Sequence, residues 1–360
     1  MDVERILRSL RLPRGTSPVA VLAPILVWLA VFPARGLETD PFLVLDVELD
    51  DSAGAANEFV NAVIRQRLDR LRAGSSKLTC EEVVPILFNG FRQTPQPRIT
   101  HWVLHDEGLD RFPDSDVGRA SYYRQSVLGM PFYSYFGVPL GRIINIGGVY
   151  FSADKLGHFF SFGLRYQRKF LRARGHGMSD AEAVRAVVDW GFRSELGVVG
   201  GTSTGIISFA DLEANYQGFR FARSLCDPDS SAHLTLDGDS RWSISGSVDL
   251  REYVNAAWDE AFNPNIYVKR RWKNIRERML VHCGKLNSSP AQERFREYGK
   301  AYAPSVGARI IDELVTLKGL PRRETYSLGS VCGVDQRPDA RDLPRASEAE
   351  HQADADLALE

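Results

Sequence analysis

Residues 154–174 read DKLGHFFSFGLRYQRKFLRAR, residues 179–195 read SDAEAVRAVVDWGFRSE, and residues 208–226 read SFADLEANYQGFRFARSLC. Each stretch runs for several helical turns with its apolar residues on a helical rather than an alternating period. Ser179 followed by Glu182 is a capping box, and Ser208 with Asp211 opens the third stretch the same way. Three helices in succession set the expected fold class.

The flanks agree. Upstream, Ala53 to Ala73 carries Phe59, Val63, Ile64, Leu68 and Leu71 opposite Arg65, Arg67, Asp69 and Arg70, an amphipathic helix. Thr79 with Glu82 opens a short helix through Phe91. Pro95 to Pro139 reads as irregular, and Ile143 to Phe151 as a short strand pair turning at Gly147-Gly148. Downstream, Leu234-Thr235-Leu236 and Trp242-Ser243-Ile244 flank an Asp237-Gly238 hairpin turn. Asp249 with Glu252 predicts a helix ending near Asn263-Pro264, and Ile266 to Val281, Pro290 to Tyr302 and Ile310 to Leu317 predict three more. The expectation is all-α: a single helical domain over 37–333 with small β-hairpin additions. The acidic, Ala- and Pro-rich residues 334–360 are expected to be a disordered tail.

The chain of 360 residues balances 45 Lys and Arg against 46 Asp and Glu, so its overall charge gives no reason to expect nucleic acid. Arg5, Arg8, Arg11 and Arg14 precede an apolar run from Val19 to Phe32, short of the roughly 20 residues a membrane span needs. With the small residues of Ala34-Arg35-Gly36, this order predicts a signal peptide over 1–36 and a periplasmic or secreted protein. The alternative is an uncleaved segment, Pro18 to Ala34, anchoring the chain to the inner membrane. Cys80, Cys226, Cys283 and Cys332 all follow this leader. In an oxidising compartment they predict two disulfides, with three pairings open. There is no Cys/His spacing of a zinc site.

Chemistry concentrates between Asp154 and Gly218. Asp154 and His158 are one helical turn apart, with Arg165 further along the same face. Glu195 ends the next helix, and Asp211, Asn215 and Gly218 share one face of the third. If these faces converge, His158, Asp154, Glu195, Asp211 and Asn215 form one polar cluster. Its expected role is a structural network or binding site. The alternative is general acid–base chemistry by His158, Glu195 and Asp211. A divalent metal would take His158, Asp154, Glu195 and Asp211 as its ligands.

The pattern Asp154-Lys155-x-x-His158-Phe159, then Glu195, then Ser208-x-x-Asp211-x-x-Ala214-Asn215-x-x-Gly218, resembles VanZ-like and YfiM-like bacterial envelope proteins. The resemblance covers about residues 143 to 225, with weaker echoes at Trp258-Asp259-Glu260 and Asn263-Pro264-Asn265. It implies an envelope protein without an assigned activity. VanZ-like proteins are membrane-embedded, whereas Arg165 to Arg174 and Arg185 to Arg193 are too charged here to span a bilayer. The enzyme alternative is then a hydrolase or transferase acting on envelope lipid or cell wall.

Gly201-Thr202-Ser203-Thr204-Gly205 matches a nucleophile elbow. It is similar to the same phrase in patatin-like phospholipases, with Ile144 to Gly148 vaguely like their oxyanion-hole loop. That resemblance implies a serine lipase with Ser203 as nucleophile on a parallel sheet. His101 and His105, followed by Asp106, offer a minor metal-ligand pair. Lys269, Arg270, Arg271, Trp272 and Lys273, with Arg276 and Arg278, form a basic run able to meet envelope lipid at an anionic membrane surface.

Overall fold

Ser152 and Ser208 each end a stretch of β structure and begin a helix, and the architecture is built around these two junctions. The computed structural model describes residues 40–71, 77–92, 97–114, 141–202, 204–238 and 241–333. The expected signal peptide, the expected acidic tail and Ser203 lie outside the described residues. The described chain is mostly helical. Helices α1 (Ala53–Asp69), α2 (Cys80–Phe88) and α3 (Arg98–His105) lead to the antiparallel hairpin of β1 (Ile143–Ile146) and β2 (Val149–Ser152). Then come α4 (Ala153–Gly175), α5 (Asp180–Ser194), the two-residue strand β3 (Ile206–Ile207) and α6 (Phe209–Ser224). A second hairpin, β4 (Ala232–Leu236) with β5 (Trp242–Gly246), and a short strand β6 (Ile266–Tyr267) precede the closing helices. These are α7 (Lys269–Met279), α8 (Cys283–Leu286), α9 (Ser289–Ala301), α10 (Val306–Leu317) and α11 (Leu328–Cys332).

The predicted caps are present. Thr79 with Glu82 and Ser179 with Glu182 form complete capping boxes, and the Ser208 hydroxyl accepts from the Asp211 amide. Three segments differ from expectation; in one, the helix expected from Ile266 starts only at Lys269, because Ile266–Tyr267 pairs with β3 as a strand. Part of the stretch expected to be irregular, Arg98 to His105, is helical and buries Ile99, Thr100, Val103 and Leu104. The helix expected from Asp249 to Asn263 is instead two short 3-10 turns, Leu250–Glu252 and Ala256–Trp258. The reason is competition for the backbone. Asn61 on α1 accepts from the Val248 amide and donates to its carbonyl, at 2.9 and 2.8 Å, and Asn57 accepts from the Leu250 amide at 2.8 Å. Asp249 and Asn255 cap their own turns. Side-chain partners thus satisfy groups that a helix would otherwise pair.

The core centres on α4 and α6. Phe160 of α4 stacks on Phe91 at 3.8 Å between centroids, and Phe159 stacks on Phe221 of α6 at 5.4 Å. Trp258 is fully buried, edge-on to Phe151 at 4.9 Å. The two helices meet backbone to backbone through Gly163 and Gly218. A Cβ at Gly163 would stand 2.5 Å from the Gly218 carbonyl carbon, and one at Gly218 would stand 1.9 Å from the Phe159 carbonyl oxygen.

Disulfides Cys80–Cys226 and Cys283–Cys332 resolve the three pairings to one. The first ties the start of α2 to the end of α6, and the second ties α8 to α11. Because they close separations of 146 and 49 residues, the chain-entropy argument gives each roughly 4–5 kcal/mol at most. Among the described residues no helix is long and apolar enough to cross a membrane.

Gly218→Ala is expected to lower unfolding free energy by about 3 kcal/mol, because the added methyl meets rigid backbone on α4 rather than a side chain that can turn away. Urea unfolding measures this; an unchanged midpoint would refute the backbone contact between α4 and α6.

Candidate functional site

Both junction serines place an aspartate in the first turn of a helix. The Ser152 hydroxyl accepts from the Asp154 amide at 3.4 Å, and the Ser208 hydroxyl from the Asp211 amide at 3.1 Å. A carboxylate there is favoured by the positive end of the helix dipole. The glycine contact brings α4 and α6 close enough for these two carboxylates to share a partner. A third acid arrives from a distant part of the chain. Strand β6 pairs antiparallel with β3, Ile206 opposite Tyr267 and Ile207 opposite Ile266. With buried Trp258 on the near side, this pins the segment that carries Glu260.

The shared partner is Lys155. Its side chain is 2% exposed, and its Nζ lies 2.9 Å from Asp154 Oδ2, 2.6 Å from Asp211 Oδ1 and 3.0 Å from Glu260 Oε1. An ammonium has three donors and no acceptor, so every donor has a carboxylate. Burial by itself would depress the lysine; the three carboxylates outweigh it and hold the ammonium well above its ordinary value. For Asp211, burial pulls upward, but His158, Lys155 and the hydrogen bonds from Lys155 and Ser208 bring the carboxyl below its ordinary value. Glu260 shifts the other way. Burial raises it most, Lys155 pulls it down, and with the charges of Asp211 and Asp154 on the side of burial the carboxyl ends above its ordinary value. The Ser208 hydroxyl also donates to Glu260 Oε1 at 2.8 Å.

His158 completes the cluster. Its Nδ1 lies 3.1 Å from Asn215 Oδ1, its Nε2 lies 3.4 Å from Asp211 Oδ2, and its ring stacks on Phe162 at 5.1 Å. The guanidinium of Arg165 lies over the same Phe162 ring at 4.5 Å. Asp154 Oδ1 is buried without a hydrogen-bond partner among the described residues. Asp154, His158 and Asp211 each offer a ligand-type atom, and these atoms lie within 4.8 Å of one another.

Of the residues singled out from sequence, Asp154, His158, Asp211 and Asn215 therefore come together. Glu195 is buried one residue removed: its Oε1 accepts from the Ser208 amide at 3.1 Å, behind the hydroxyl that serves Glu260. Ser203 lies outside the described residues. The described sheets are all two-stranded and antiparallel, and Ile144 to Gly148 belongs to the β1–β2 hairpin rather than to a loop beside a parallel sheet. His101 and His105 do face one another on α3, rings 4.1 Å apart and exposed, with His105 Nδ1 donating to the His101 carbonyl. Sequence reasoning passed over Lys155 and the role of Glu260. A signal for Lys155 was present: it shares the α4 stripe of Phe159, Phe162 and Tyr166, where a lysine has no water to reach.

Beside the cluster, Asp259 is 1% exposed, and Tyr298 Oη donates to its Oδ2 at 3.2 Å. Burial pushes its carboxyl up to about 6, against the pull of Arg294. The folded state therefore holds this proton to higher pH than the unfolded chain does. The resulting stabilisation is complete below about pH 4 and lost as pH rises through about 6, a change on the order of 3 kcal/mol. Asp259→Asn is expected to remove that slope: relative to wild type, it gains stability between pH 4 and 7 in urea titrations. A wild-type-minus-variant difference independent of pH would show that Asp259 does not titrate in this window.

No family model, curated protein or solved structure matches this chain, so the reading of the cluster rests on its own geometry.

Proposed function

We propose that this chain is an exported protein of the bacterial envelope, periplasmic or secreted, in which the ion cluster is a structural and binding clamp rather than a catalytic centre. The two disulfides, the arginine-flanked apolar leader and the resemblance of Asp154 to Gly218 to envelope proteins support the location. The observation that carries the clamp reading is the enclosure of Lys155, whose three donors all face carboxylates delivered by α4, α6 and the segment before β6. The alternative is hydrolysis or group transfer on envelope lipid or cell wall by His158, Glu195 and Asp211. It requires a substrate to reach an imidazole that is 7% exposed.

A buried ion pair adds little net stability over an apolar core, but removing one partner strands the others. Lys155→Met is expected to cost about 3–5 kcal/mol, and Asp211→Asn about 1–3 kcal/mol, read as lowered melting temperatures. Near-wild-type melting of both variants would overturn the clamp and favour the catalytic alternative, since functional sites tolerate loss of charge more cheaply.

The envelope contact is assigned to α7. Ile275 and Met279 anchor this helix, while Lys269, Arg270, Lys273 and Arg276 are exposed and adjoin exposed Val268, Leu280 and Val281. Cations beside protruding apolar side chains suit an anionic bilayer surface. Each basic residue near such a surface is worth about 1 kcal/mol, so Lys269→Glu, Arg270→Glu and Lys273→Glu together are expected to weaken sedimentation with phosphatidylglycerol vesicles at least 10-fold. Equal binding to neutral phosphatidylcholine vesicles, or no effect of the triple change, would remove α7 from the contact.

A further inference from the structure

We propose that Asp154, His158 and Asp211 hold a divalent transition-metal ion, of the zinc class, at the edge of the Lys155 clamp. The proposal builds on the clamp reading, because Lys155 and the α4–α6 contact set the two aspartates in place. Three observations on different residues lead to it.

The first is the imidazole. Asn215 Oδ1 accepts from His158 Nδ1–H at 3.1 Å, which fixes the ring and turns its Nε2 toward the cluster. Nε2 faces the Asp211 Oδ2 oxygen at 3.4 Å. The positive centre between these two atoms is either a proton, giving an imidazolium–carboxylate pair, or a metal ion, and zinc titration separates the two. A histidine donating its far N–H to a side-chain oxygen is also the usual support of a metal ligand.

The second is Asp154. Its Oδ2 is taken by Lys155, but its Oδ1 is buried in a residue 6% exposed and has no hydrogen-bond partner among the described residues. A carboxylate oxygen without a donor is costly in a protein interior, and a cation is the group that satisfies it.

The third is spacing and charge. Ligands about 2.0–2.1 Å from a tetrahedral zinc stand about 3.4 Å from one another, and His158 Nε2 and Asp211 Oδ2 are separated by 3.4 Å. The three ligand-type atoms lie within 4.8 Å, so small side-chain rotations close the set. Asp154, Asp211 and Glu260 outnumber the single ammonium of Lys155, so the site has anionic ligand atoms to spare for a cation. Imidazole and carboxylate ligands suit zinc better than magnesium or calcium, which take oxygen sets.

The test is titration of zinc chloride into the chelator-treated full chain by calorimetry, with melting temperature as a second readout and cobalt(II) absorption reporting the ligand geometry. We expect one ion per chain, a higher melting temperature in zinc, and a four-coordinate cobalt spectrum. Asp154→Asn and His158→Gln should each weaken zinc at least 10-fold, and Asn215→Ala about 10–100-fold through loss of the imidazole's support. His101→Ala with His105→Ala, both exposed, should leave affinity unchanged. Absence of zinc-dependent heat and melting shift in the wild-type chain would overturn the proposal, as would binding abolished only by the His101 and His105 changes. If Lys155→Met is destabilising while wild type ignores zinc, the clamp stands and the metal falls. If zinc binds and Lys155→Met melts like wild type, the metal stands and the clamp falls.

Discussion

A lysine ammonium removed from water is tolerated only where anions replace its hydration, and much of this molecule is arranged around that requirement at Lys155. Its three carboxylates come from three places: its own helix, the opposing helix α6, and the turn segment before β6. None of these can move far without stranding a charge. The constraint also runs outward. Glu260 reaches Lys155 because β6 pairs with β3 and Trp258 fills the space beside Phe151 and Phe159. The two-residue strands, too short to be stable alone, are held by what they deliver.

The approach of α4 and α6 makes the cluster possible. Helices ordinarily pack 8–10 Å apart, with side chains filling the gap. Gly163 and Gly218 remove those side chains at one crossing, where any Cβ would overlap the facing backbone. The same closeness brings two helix N-termini, each with an aspartate in its first turn, toward one another. The positive ends of both dipoles then help offset a site with more acids than bases. Caps, glycines and acids are thus parts of one device, although in sequence they read as separate local signals.

Helical periodicity was enough to find α1, α2, α4, α5, α6, α9 and α10, because each buries one continuous stripe against a core. It was also enough to align Asp154 with His158 and Asp211 with Asn215. What it missed has a common cause. Lys155 stood in the motif without a role, and only the tertiary fold shows that its ammonium is enclosed by carboxylates. Glu260 lies 105 residues from Lys155, in a segment whose capping signals pointed to a helix. That segment instead forms 3-10 turns because Asn57 and Asn61 of α1 take its backbone groups. Local propensity lost to partners that are distant in sequence. Glu195 was placed correctly at a helix end, where its carboxylate accepts from the Ser208 backbone.

The disulfides and the ion cluster divide the work of holding the fold. Cys80–Cys226 and Cys283–Cys332 act at element ends, and their effect lies largely in the unfolded chain, which they keep from expanding. The cluster acts in the folded state and at its centre, where it discriminates between packings rather than adding much net energy. A slide of α4 along α6 by one turn would carry Lys155 about 5.4 Å from Asp211, leaving a buried cation and a buried anion apart. Apolar packing of Phe159, Phe160 and Phe221 would survive a modest slide far better, since aromatic contacts accept several geometries. The register of the two central helices is therefore set by charge together with the Gly163–Gly218 contact, and the aromatic core fills in around both.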